Sequence, residues 1–364
     1  MAAVSPGPTR RRGPGRPGRA AVLALLAVCV MWLAAGAHSA HARTVRPGAA
    51  RSGAARSDPV RCSLGAYLSD LYDLDAVKNR FSARLWLWSE CADKSQDPLP
   101  TASFTNADDP KKSDPLLSTR AGRARDLVRI EGSFRQRWDE RAFPFDKHRL
   151  QMLVTAGDDM RHFAFTVGDD SAYNPAIAPP GWRVTGYRVV AAPHRYPTGF
   201  GEFGSASDGG STFSRVRVEV DVVRTDPTVF WKLTGPLYLV LLMATATFLL
   251  PSHSNELGMA ERLDALQSRL GVLGGGLLVV MLNMQQVNSV VTSADGLTLV
   301  DGLHLLTLIY LLVAVIGTVL AWRWTVHGGD PAVAERFHHR GALVAFVLYV
   351  LTAGAMVGYV ALTG

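Results

Sequence analysis

The sequence predicts an all-β sandwich followed by an all-α domain of four transmembrane helices. Two patterns predict these folds. Apolar and polar residues alternate with a period of two in short runs between residues 60 and 228, and four long apolar stretches follow between residues 229 and 364. A basic stretch and an apolar run ahead of them predict that the β domain is exported.

The composition excludes several classes of protein. Of 364 residues, only 19% are charged, which is sparse for a cytosolic enzyme of this size. The net charge is +7, but residues 1–60 hold nine Arg, no Lys and one acid, Asp58, so the remainder is close to neutral. A nucleic-acid-binding function therefore loses its main support. Three Cys exclude a dense disulfide scaffold and a zinc module built from several Cys.

The N-terminal segment, residues 1–42, has the features of a signal peptide. Arginines precede an apolar run at residues 20–36, and the small residues Ala40 and Ala42 predict cleavage after Ala42. An uncleaved membrane anchor is the alternative. Residues 43–59 are mainly Ala, Gly, Arg, Ser and Pro without an apolar period, which predicts a flexible tether.

The β domain is predicted over residues 60–228. The clearest alternation is residues 215–222, where four Val face one side and charged residues the other, and the same period occurs at 81–88, 150–154 and 163–167. Clusters of Pro and Gly separate these runs. Many short strands without a long helical pattern are typical of a β-sandwich.

Two cysteines fall in this domain. Residues 75–80 are polar and predict a hairpin turn centred near residues 76–77, which is also the midpoint between Cys62 and Cys91. The two Cys then face each other across an antiparallel pair, and an exported compartment favours a disulfide between them. Two buried free thiols are the alternative.

The transmembrane domain is predicted over residues 229–364, with helices at about 230–250, 268–291, 302–324 and 341–362. Each apolar stretch is long enough to cross a bilayer about 30 Å thick. No Lys or Arg occurs between Leu270 and Trp322. The bias of basic residues toward the cytoplasm therefore predicts a multi-pass cell-membrane protein whose β domain and C-terminus are extracytoplasmic.

The second apolar stretch carries amides in its outer half, among them Asn283. Seven of its residues fall on one helical stripe, which is small at one end, aliphatic in the middle and polar at the other: Ser268, Gly271, Gly275, Leu278, Leu282, Gln285 and Ser289. Such a stripe could line a water-filled pore, with Leu278 and Leu282 as an apolar constriction. Close helix packing at the adjacent glycines explains the pattern equally well.

Several motifs resemble one known family. Residues 143–146 read Phe-Pro-Phe-Asp, Arg224 precedes the first apolar stretch, and Arg269-Leu270 open the second stretch ahead of Leu278. Together they resemble the bacterial pentameric ligand-gated ion channels of the Cys-loop receptor superfamily. The resemblance covers the chain from about residue 60 onward. Residues 143–146 resemble the family's signature loop. Two Cys bracket that loop in animal receptors, and the matching positions here are Gln136 and Leu150, so the bracket is absent, as in bacterial relatives.

The resemblance implies a homopentameric channel in the lipid bilayer, gated by a small ligand or by protons, with the second helix lining a path for ions. It implies that Phe143, Pro144, Phe145 and Asp146, with Arg224, couple the β domain to the gate through an ion pair between Asp146 and Arg224. A salt bridge of merely local value, or none, is the alternative. Three aromatic residues, Tyr67, Tyr196 and Phe213, lie at positions suited to ligand binding between subunits. Residues that bind amines in some bacterial relatives correspond here to Thr155 and Gly157, so the resemblance does not extend to an amine agonist.

The sequence contains no nucleophile–base set, metal cluster or phosphate loop, so neither an enzyme activity nor a cofactor or metal is predicted. A membrane-anchored extracellular binding protein that does not conduct is the alternative function. The charge pattern favours cations over anions, because Asp295 and Asp301 stand in a region without basic residues at the outer side.

Overall fold

The computed structural model describes residues 58–120, 122–200, 210–248, 258–290 and 296–363. The predicted signal peptide and all but the last two residues of the tether lie outside these ranges. The chain divides into a unit built on strands and a unit built on helices, which are described separately.

The strand unit contains eleven strands in the described residues, and the four segments predicted from alternation all lie within strands. The strands are β1 Val60–Asp75, β2 Arg80–Cys91, β3 Ser103–Phe104, β4 Ala107–Arg120, β5 Arg123–Arg135, β6 Lys147–Asp159, β7 Phe163–Val167, β8 Ala172–Tyr173, β9 Trp182–Ala191, β10 His194–Tyr196 and β11 Ser211–Arg224.

These strands form two sheets. The first has the order β4-β5-β2-β1-β7, with β8 also pairing with β1, and the second has the order β10-β11-β6-β3, with β9 also pairing with β11. Side chains from both sheets, including Leu64 and Leu85 of the first and Leu150 and Val218 of the second, belong to one buried core. Two sheets that share one core are what alternating apolar residues produce, because each strand buries one of its two faces.

The hairpin between β1 and β2 confirms the predicted pairing. The strands are antiparallel, with Ser63 opposite Glu90, and Cys62 and Cys91 form a disulfide whose Cα atoms are 4.5 Å apart. Both Cys are buried in the core of the strand unit.

The helical unit contains four helices that are long and apolar enough to cross a membrane. They are α1 Thr228–Thr247, α2 Met259–Val290, α3 Leu299–Val326 and α4 Pro331–Thr363. Both α2 and α4 begin about ten residues earlier than predicted, because charged residues such as Glu261 and Glu335 interrupt the apolar pattern near their starts. Hydropathy locates only the part of a helix suited to lipid.

Candidate functional site

The signature loop leads into β6 and places a carboxylate deep in the strand unit. Asp146 is 1% exposed, and its carboxylate accepts hydrogen bonds from Arg224 Nε at 2.8 Å and Nη2 at 3.1 Å. Arg224 ends β11, so the contact joins the loop to the last strand before α1. The predicted ion pair between Asp146 and Arg224 is therefore present.

Two aromatic rings lie against the guanidinium of this ion pair. The guanidinium of Arg224 lies 4.9 Å from the ring centre of Phe143 and 4.2 Å from that of Trp182. Phe145 packs against Phe230 with ring centres 5.6 Å apart. A guanidinium over aromatic faces gains cation–π attraction while the rings exclude water. The pair is thus held in an apolar setting, unlike an exposed surface ion pair.

A histidine that the sequence analysis did not select completes the group. His148 Nε2 lies 2.6 Å from Asp146 Oδ2, and the imidazole packs edge-on against Trp138 and Trp182. Burial alone would raise the pKa of Asp146, but the hydrogen bonds from His148 and Arg224 outweigh burial and hold that pKa below its ordinary value. His148 lies two residues before Leu150 on the same buried face of β6, ahead of the alternating run at residues 150–154 from which the strand was predicted.

A cavity of about 630 Å³ opens beside this group. Its lining comes from the β1–β2 turn, including Asp73, Asp75 and Lys78, and from Glu140, Phe143 and Arg224. Positive and negative side chains share the lining, and Asp75 pairs with Lys78 at 2.9 Å. The signature loop and the β1–β2 turn thus border one polar space.

The three aromatic residues selected for ligand binding do not lie together. Tyr196 and Phe213 pack with ring centres 5.6 Å apart, and Phe200 lies 5.1 Å from Tyr196 and 5.7 Å from Phe213. Arg215 Nη2 donates to the Tyr196 hydroxyl at 3.0 Å. Tyr67 belongs to β1 in the other sheet, where it lies opposite Trp86. Within one chain, Tyr196 and Phe213 therefore form an aromatic cluster with the unselected Phe200, and Tyr67 lies on the other sheet. Ligand binding by these residues between subunits stays a prediction.

The predicted stripe on α2 is the exposed face of that helix. All seven residues, from Ser268 to Ser289, are exposed in the single chain. The opposite face is buried and includes Leu273, Val280 and Val287, each at most 1% exposed. One of the glycines weighed for helix packing, Gly276, does face a neighbour, since a Cβ there would lie 2.9 Å from Val240 of α1. The packing of α2 against its neighbouring helices and the predicted stripe therefore lie on different faces of α2.

Polar contacts join the helices on their buried side. Asn283 Nδ2 of α2 donates to the Leu233 carbonyl of α1 at 2.6 Å and contacts His304 Nε2 of α3 at 2.9 Å. The Thr245 hydroxyl of α1 lies 2.9 Å from that of Tyr310, and the Thr307 hydroxyl lies 2.9 Å from that of Tyr349 of α4. The sequence indicated that Asn283 needs a protein or water partner, but periodicity could not identify His304.

One of the two outer carboxylates, Asp301, differs from expectation. Asp301 lies at the start of α3 and is 5% exposed, because the buried face of that helix includes it with Leu303 and His304. Asp295 lies outside the described residues. In the described part of the chain, no group of three or more His, Cys, Asp and Glu is placed to hold a metal ion.

No protein-family model and no curated protein matches this chain.

Proposed function

We propose that the chain is one subunit of a homopentameric ion channel, opened by a small ligand or by protons acting on the strand unit. The exposed stripe of α2 is the observation that carries the proposal. In a helix suited to a membrane, Gln285 and Ser289 share this exposed face with Leu278 and Leu282. Polar groups exposed to hydrocarbon are costly, whereas beside a water-filled pore they are solvated.

Symmetry-related copies of the chain would complete the wall of such a pore. One stripe from one chain cannot enclose a channel, but copies related by a closed rotation present the same face to a common axis. Five stripes would surround the path with Leu278 and Leu282 as apolar rings, which gate by excluding water. The resemblance of residues 143–146 and Arg224 to the pentameric channel family supports the number five.

The buried group around Asp146 supports a coupling role for the strand unit. It links the signature loop to the end of β11, which runs directly into α1 through residues 225–227. A ligand bound at the Tyr196–Phe213 pair, for example, would shift β11 near its start. The end of the same strand, at Arg224, is hydrogen-bonded to the signature loop and would move with it. Energetic coupling between a ligand site and a gate requires a structural element that has two discrete arrangements, and we propose β11 with the signature loop as that element.

The test is ion flux through purified protein in liposomes, screened against pH and small ligands. The native mass of the detergent-purified protein is measured in parallel. We expect a mass of five chains and a flux that at least one condition opens. A monomeric or dimeric mass would exclude the assembly. A pentamer that stays closed under every condition would favour a non-conducting binding protein.

A further inference from the structure

We propose that His304 is a proton-controlled latch between α1, α2 and α3, closed when the imidazole is neutral and released when it is charged. The inference rests on the proposed channel function and names an internal regulator for it. It is carried by the three buried contacts that His304 and Asn283 make.

The first step is the protonation state that the geometry requires. His304 Nδ1 lies 2.7 Å from the carbonyl oxygen of Val300, which can only accept, so Nδ1 carries a hydrogen. His304 Nε2 lies 2.9 Å from the amide nitrogen of Asn283, which can only donate, so Nε2 carries none. The arrangement therefore fits only the neutral imidazole with its hydrogen on Nδ1.

The second step is that this one amide nitrogen ties three helices. The same Asn283 Nδ2 donates to the Leu233 carbonyl at 2.6 Å, and both side chains are buried, with His304 at 0% exposed and Asn283 at 5%. Pro236 lies three residues beyond Leu233, and a proline inside a helix removes a backbone hydrogen bond and weakens the local turn. The hydrogen bond that the Asn283 side chain donates to Leu233 therefore stabilises this part of α1.

The third step is the effect of adding a proton. A hydrogen on His304 Nε2 would point at the hydrogens of the Asn283 amide. If the amide rotates to offer its oxygen to His304, that oxygen meets the Leu233 carbonyl, and two acceptors repel. Protonation must therefore break the bond between α2 and α1 or the bond between α2 and α3.

Within the described ranges, few charged groups surround the latch. On α3, Asp301 lies one turn before His304 and offers a counter-charge for the imidazolium. On α1, Lys232 precedes Leu233 and is exposed, and on α2 the buried neighbours of Asn283 are Val280 and Val287. From α4, Tyr349 contacts Thr307, one turn after His304. The protonation of the His304 imidazole therefore depends chiefly on its own contacts with Asn283 and on the nearby charge of Asp301.

The test compares His304→Gln, Asn283→Leu and a control, His327→Gln, in liposomes at pH 8 and pH 5. Gln is a neutral side chain that can accept from Asn283 and donate to Val300 but does not titrate in this range. His327 is matched because its Nδ1 also contacts the carbonyl four residues earlier on α3, at 2.8 Å from Arg323, but it is exposed.

We expect the flux of the parent and of His327→Gln to change at least about fivefold between the two pH values, the lower end of ordinary coupling between sites. His304→Gln should keep the pH 8 flux at both values, and Asn283→Leu should show the pH 5 flux at both. A parent-like pH response in His304→Gln would overturn the proposal.

Histidine ¹⁵N NMR of the full chain in nanodiscs gives a readout that does not need conduction. We expect the His304 signal, assigned by its loss in His304→Gln, to show the Nδ1-protonated neutral form at pH 8. Its titration should shift the Asn283 amide signal as well. A charged or Nε2-protonated His304 at pH 8, or a titration that leaves Asn283 unchanged, would refute the latch. A coupled titration in a protein that conducts nothing would refute the channel and keep the latch.

Discussion

Individual buried carboxylates show how far single residues can be predicted. The resemblance of residues 143–146 and of Arg224 to the pentameric channel family is what predicts that Asp146 and Arg224 pair. His148 and His304 are not predicted, since strand or helix periodicity gives the face of a side chain but not its partner across the core. The donor and acceptor pattern around each histidine becomes visible only once three-dimensional neighbours are known.

A second buried carboxylate, Asp126, makes a testable contrast with Asp146. Asp126 is 7% exposed and faces Ser89 across the β2–β5 pair, and Ser89 donates to Asp97 at 2.8 Å. Burial first, and then the neighbouring Asp97 carboxylate, raise the pKa of Asp126. Asp146 is stabilised as an anion, whereas Asp126 is not.

We therefore expect Asp126→Asn to stabilise the protein at neutral pH. A group whose pKa is higher in the folded state contributes stability below its unfolded pKa, near 3.9, and loses it as the pH rises through the folded value. Asn removes the buried charge and can donate to Asp97, so the gain should be on the order of 1–3 kcal/mol at pH 7. Thermal unfolding in detergent measures it, and the gain should shrink toward pH 4.

Asp146→Asn is the control, because its pKa is shifted in the opposite direction. Removing that anion leaves Arg224 without its buried partner and should destabilise the protein at pH 7. Equal effects of the two variants would show that burial alone governs both sites.

At the scale of elements, alternation identified strands well and hydropathy identified helices but not their ends. β11 is predicted because its valines alternate with charged residues, and β6 because Leu150, Met152 and Val154 recur at every second position. The starts of α2 and α4 are not predicted, since charged residues within the first ten residues of each helix interrupt the apolar signal. The position of Tyr67 on another sheet from Tyr196 also lay beyond the sequence, because strand order is set by long-range pairing.

The disulfide of the β1–β2 hairpin should stabilise the strand unit measurably. Replacing Cys62 and Cys91 by Ser should cost about 2–4 kcal/mol, because the cross-link restricts the unfolded chain. Thermal unfolding of the parent with and without reductant provides the comparison. The parent should lose stability on reduction while the double variant does not respond. Insensitivity of the parent to a reductant that demonstrably frees both thiols would contradict the expectation.

On α2, Leu278→Ser should make the channel leak or open more easily. Leu278 is 59% exposed at the middle of the stripe, and a ring of hydroxyl groups repels water less than a ring of leucines. Liposome flux without ligand measures the leak. Leu351→Ser on α4 is the matched control, since Leu351 is 63% exposed on a different transmembrane helix. Equal flux in both variants and the parent would show that the exposed face of α2 does not line a pore.

For the whole molecule, the early start of α2 changes which charges would meet permeating ions. Glu261 and Asp264 are exposed and continue the stripe at the same helical spacing, seven and four residues before Ser268. Arg269 is 3% exposed, so its charge lies off this face. Asp301 is also buried, so this carboxylate contributes less to an ion path than the sequence suggested.

We accordingly expect a cation-selective channel whose selectivity depends on Glu261 and Asp264. In a pentamer these residues form two rings of five carboxylates at one mouth, and such rings concentrate cations. Reversal potentials under a KCl gradient should shift toward the potassium equilibrium, and Glu261→Gln with Asp264→Asn should lower cation conductance. Asp301→Asn is the control and should leave selectivity unchanged. A reversal potential near the chloride equilibrium would refute the expectation, because acidic rings beside the ion path repel anions.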